Sequence, residues 1–81
     1  MNKDFYWKLV DDFTEALKKL PLIFYILEKN SVAEAFALIT ASCRAEIGDE
    51  AGNDLAEHVK AKIDELGESF KDRLGGEDYG E

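Results

Sequence analysis

The apolar positions near the start of the chain follow a helical period. After Tyr6 come Leu9, Val10, Phe13, Leu17 and Leu20, at steps of three, one, three, four and three. A strand would alternate every second residue, so this spacing predicts an amphipathic helix from about Lys3 to Leu20. Pro21 lacks an amide donor and disfavours helical geometry at Leu20, so it ends or kinks that helix or opens the next from its first turn. Leu22 to Leu27 then reads as a short buried helix, because a strand there has no pairing partner in the chain.

Asn30-Ser31 breaks the pattern, and Ser31-Val32-Ala33-Glu34 matches a capping box, which predicts a new helix. Its apolar row is Val32, Phe36, Ile39, Cys43 and Ile47, with Gly48 as its stop. Ala33, Ala37, Leu38, Ala41 and Ala45 occupy its other faces, and no charge falls between Glu34 and Arg44. A helix apolar nearly all round is expected at the centre of a domain or in an oligomer interface. Gly48 to Gly52 reads as a loop, with Asn53 or Asp54 capping a last helix. Leu55, Val59, Ile63, Leu66, Phe70 and Leu74 form its apolar row, Gly67 is a weak point, and Gly75-Gly76 ends it.

These elements predict an all-α fold: a compact antiparallel bundle of three to four helices with a mostly apolar central helix. Residues 1–76 form one domain in this reading, and 77–81 are a mobile acidic tail with too little apolar content to pack.

Charge changes the picture in one half only. The 81-residue chain has net charge −8, yet residues 1–45 balance six acids with six bases. The excess therefore falls in residues 46–81, where twelve acids face only Lys60, Lys62, Lys71 and Arg73. That balance points away from direct nucleic-acid or membrane-surface binding and towards a basic protein partner. The lone cysteine excludes an internal disulfide and fits a cytoplasmic setting. No signal-peptide core is visible, and the apolar stretch Leu20 to Leu27 is far shorter than the roughly 20 residues of a membrane span. At this size a single core supplies little net stability, so a homo-oligomer is expected.

At 100° per residue the last helix places Asp54, Glu57, Asp64, Glu65, Glu68 and Asp72 opposite its apolar row. Asp64, Glu68 and Asp72, at i, i+4 and i+8, repel one another by a few tenths of about 1 kcal/mol per pair. These six acids are the candidate partner-binding residues, and Phe5 and Trp7, on opposite margins of the first apolar stripe, are candidate aromatic anchors. His58 is expected to pair with Asp54, four residues before it, since metal sites draw ligands from more than one element and no second histidine is present. Cys43 lies in an apolar row and reads as a small core residue. Asp49 to Asp54 fails as a calcium loop because Ala51 takes the third position and Asp54 the sixth.

Between Ser31 and Glu50, a serine that opens a helix and a later acidic run resemble an acyl carrier protein. The Asp-Ser-Leu attachment site of that family stands here as Asn30-Ser31-Val32, so no function is carried over. With no nucleophile-base pair, phosphate loop or ligand cluster, no catalytic residue, metal or cofactor is assigned. The leading expectation is a non-enzymatic inhibitor of the immunity or antitoxin kind, docking its acidic helix on a basic, nucleic-acid-binding protein. The alternative is a homo-oligomeric assembly protein that uses the apolar 22–47 region and keeps its acidity for solubility.

Overall fold

A computed structural model describes residues 3–76, with the backbone alone described for Leu22, Tyr25, Ile26 and Leu74. The expectation of a mobile tail at 77–81 lies outside the described residues. Three α-helices account for the fold: α1 (Lys3–Lys18), α2 (Leu22–Ile47) and α3 (Asp49–Gly76). Contacts between residues far apart in sequence set their directions. Tyr6 and Phe13 on α1 meet Ser42 and Phe36 on α2, so those helices are antiparallel. Asp11 and Lys18 meet His58 and Glu65 on α3, so α1 and α3 run the same way. The body measures 49 × 18 × 16 Å, a long hairpin of α2 and α3 with α1 laid along part of it.

Pro21 opens α2, and the Phe24 amide closes the first turn on its carbonyl at 3.0 Å. The expected break at Asn30-Ser31 does not occur, and α2 is a single helix of 26 residues. Both residues are exposed, so they cost only their modest helix propensity, a few tenths of about 1 kcal/mol each. The capping box therefore does not form, since Ser31 and Glu34 lie within a continuous helix. Nor does the predicted Gly48–Gly52 loop. Gly48 alone makes the turn at φ 128°, a conformation that favours glycine, and α3 begins at Asp49. Gly52 is a helical residue packed on α2: a Cβ added there would lie 2.8 Å from Arg44 Cβ and 3.1 Å from its Cα.

The core is Tyr6, Val10 and Leu17 from α1, Phe36 and Cys43 from α2, and Leu55, Val59, Leu66 and Phe70 from α3. Cys43 is fully buried, as its apolar row implies. Thr14 is also buried, its hydroxyl donating to the Val10 carbonyl at 2.8 Å. The 31–47 segment touches both neighbours, Phe36 meeting Phe13 of α1 and Arg44 lying against Gly52 of α3. The outer side of α2 carries the exposed Ile23, Leu27 and Leu38, and the contact between α1 and α2 is the smallest of the three helix pairs. Length explains part of this. At about 1.5 Å per residue, α1 spans roughly 24 Å against roughly 39 Å for α2, so it cannot cover the first turns of α2.

Candidate interaction surfaces

Two surfaces stand out, the acidic side of α3 and the outward side of α2. On α3, the core stripe Leu55, Val59, Leu66 and Phe70 points to the other helices. Opposite it, Glu57, Asp64, Glu68 and Asp72 are exposed, and none has an ion-pair partner among the described residues. Asp54 is exposed on the same side and meets Lys3 at 3.8 Å, a surface pair worth about 0–1 kcal/mol. Glu65 is not part of this stripe. It turns towards α1 and accepts from Lys18 of that helix and from Lys62, three residues back on α3. Those two cations hold the Glu65 carboxyl below its usual range, and Glu65 and Glu15 raise the Lys18 ammonium.

The pairing expected for His58 is also different. Its Nε2 donates to Asp11 Oδ1 at 2.7 Å, across the α1–α3 seam, and not to Asp54. Asp54 and His58 share an edge of α3, but packing sets α1 against that edge and brings Asp11 within reach. Trp7 stacks on the imidazole with centroids 5.7 Å apart, and Lys3 sits 5.1 Å from the Trp7 ring. Trp7 is thus half-buried in an intramolecular cluster and serves the fold. Phe5 is 49% exposed and packs edge-on against Tyr6, with ring centroids 5.3 Å apart.

At the hairpin end, Asp49, Glu50 and Asp54 rim a shallow depression of 480 Å³. They lie in or near the first turn of α3, where negative charge complements the helix dipole. No group of three or more His, Cys, Asp or Glu side chains among the described residues is placed to hold a metal ion.

The outward side of α2 belongs to the apolar 22–47 region on which the assembly alternative rests. Ile23 is 62% exposed, Leu27 72% and Leu38 70%, with Phe24 at 49%. Apolar grooves flank this ridge. One, of 380 Å³, is lined on α1 by Phe5 and Leu9 and on α2 by Leu38 and Ile39. The other, of 350 Å³, lies between α2 and α3 and includes Ala37, Ala41, Ala56 and Ile63. The exposed Ser31 and Glu34 lie between Leu27 and Leu38 on this ridge, and Arg44 and Glu46 stand among the groove residues. The ridge's signal in the sequence was the uncharged stretch between Glu34 and Arg44. What the sequence did not show was which side of that helix would be left uncovered.

No helix among the described residues is long and apolar enough to cross a membrane. Comparison of the chain with protein-family models, with curated proteins and with solved structures gives no match.

Proposed function

We propose that this protein is a non-enzymatic assembly protein that associates through the outward face of α2. The observation that carries this reading is the exposure of Leu27 and Leu38, both above two-thirds, on a ridge flanked by apolar grooves. Several large apolar side chains exposed on one helix face, rimmed by polar residues, mark protein contacts, whereas single exposed leucines need no explanation. In this reading the carboxylates of α3 lie on another side and keep the assembly soluble through their net charge.

A double substitution, Leu27→Asp with Leu38→Asp, tests it. Both side chains are outside the core, so the helical signal and the melting behaviour of the isolated chain should persist. Light scattering coupled to size exclusion should give an oligomer for the unmodified chain and a monomer for the variant. A variant that assembles as the unmodified chain does would contradict the proposal.

A second reading is supported by the unpaired row Asp64, Glu68 and Asp72, which α3 carries despite its internal repulsion. It makes that stripe the docking surface for a basic protein, in the manner of an inhibitor. Replacing Glu57, Asp64 and Glu68 with Lys relieves the repulsion, so the fold should hold, while capture of a basic partner from the native host should fall steeply. Salt separates the two readings, because ions screen charge docking and leave apolar assembly intact.

A further inference from the structure

Seven exposed positions on α2, namely Phe24, Leu27, Ser31, Glu34, Leu38, Ala41 and Ala45, follow one another at alternating steps of three and four. That is the heptad spacing at which one helix packs along another with knobs in holes. The seam is bulky at one end, with Phe24 and Leu27, and small at the other, with Ala41 and Ala45. From this gradient and the assembly reading above, on which it rests, we infer that the occupant of the face is a second copy of this chain, its α2 laid antiparallel on the first.

The complementarity is specific to that direction. Setting Leu27 against Leu38 of the second copy brings Phe24 against Ala41 and Ser31 against Glu34, each contact occurring twice about the two-fold axis. Phe24 meets a small residue, the two leucines meet each other, and the Ser31 hydroxyl gains a carboxylate acceptor. On the flanks, Glu28 faces Ala35 and Ser42, so no like charges are forced together there. A parallel, in-register pairing would instead oppose Phe24 with Phe24 and Glu34 with Glu34, and align the two helix dipoles.

In that register the paired seam runs from Phe24 to Ala41, about 26 Å at 1.5 Å per residue, and two helix diameters make it roughly 20 Å wide. Closing it would bury about 500 Å² per copy, or about 1,000 Å² in all, the size a specific interface has to reach.

Disulfide capture between two singly substituted chains tests the direction. Leu27→Cys and Leu38→Cys chains are oxidised separately and as a mixture, with the unmodified chain as a control for the buried Cys43. The antiparallel seam predicts about tenfold more linked dimer in the mixture than in either chain alone, since a disulfide requires close Cα atoms. Linkage of each chain with itself would indicate parallel pairing and overturn the inference. A noncovalent dimer that links in none of the three samples would place the interface off this face and overturn both the inference and the α2 assembly reading. A monomer at every concentration would overturn both.

A size swap gives a second readout should the cysteine variants dissociate. Phe24→Ala and Ala41→Phe should each weaken the dimer, and the chain carrying both should recover it. Failure of that recovery contradicts the register.

Discussion

The α1–α3 seam and the outward face of α2 use similar kinds of residue in opposite ways. Along the seam, apolar side chains are buried and the polar groups beside them find partners within the chain: Asp11 with His58, Lys18 with Glu65, and Tyr6 across to Ser42 on α2. Along the outward face of α2, Leu27 and Leu38 are left in water, and Ser31 and Glu34 lie between them without a partner among the described residues. Among the described residues, the three most exposed large apolar side chains, Leu27, Leu38 and Ile23, all lie on α2. The seam is an interface completed by folding, whereas the proposed contact on α2 requires a second chain. Burial cannot be read from apolar content alone, because geometry decides how much of each helix its neighbours can reach.

If that comparison holds, truncation should hurt on the inner side of α2 and not on the outer. Phe36 is 1% exposed and packs edge-on against Phe13 at 5.1 Å, so Phe36→Ala should cost about 3–5 kcal/mol. Leu38→Ala, two residues on, should lower the stability of the isolated chain by less than about 0.5 kcal/mol. Paired chemical melts check this, and equal costs would break the distinction between the two sides.

Two glycines of α3 sharpen it further. Gly52→Ala drives a Cβ against the Cβ and backbone of Arg44, so the helices must part and about 1–3 kcal/mol is lost despite the better helix propensity. Gly67 has open space where its Cβ would go, and Gly67→Ala should raise stability by about 1 kcal/mol. Opposite signs in the two thermal shifts are the expected result.

The smallest effect belongs to the ion pairs of the seam. Glu65 has a lowered pKa in the folded state, so its contribution is present above its ordinary value of 4.5 and is lost as pH falls through the folded value. Lys18 is raised, so its contribution is complete below 10.5 and is lost as pH rises through its folded value. Glu65→Gln should therefore lower the melting temperature slightly at neutral pH and flatten the acid side of the stability profile. An unchanged acid limb would show that the carboxylate stabilises nothing.

Much of this architecture is legible in residue order. The periodic rows Leu9 to Leu20 and Leu55 to Phe70 announce α1 and α3, and Pro21 and Gly48 mark both turns. Asn30-Ser31 misleads because a local capping signal competes with packing along the whole length of α3, and packing prevails. Gly52 looks like loop composition but supplies a close helix crossing, a use visible only once Arg44 is opposite. Of the acidic candidates, Asp54, Glu57, Asp64, Glu68 and Asp72 face solvent as their spacing implies, whereas Glu65 is drawn into the seam by Lys18. The Asp11–His58 contact spans 47 positions, and its register is set by packing that no local pattern encodes. Similarly, the uncharged stretch of α2 shows apolar content on every side but not which side its neighbours leave exposed.

The central claim is that the face of α2 is half of an apolar contact between copies. Sedimentation equilibrium of the unmodified chain, across a concentration series and in low and high salt, tests it most directly. The account predicts a mass that rises from the 9.1 kDa of one chain to twice that value, with an association undiminished by salt. A mass that stays at that of one chain throughout, or an association that salt abolishes, would contradict it.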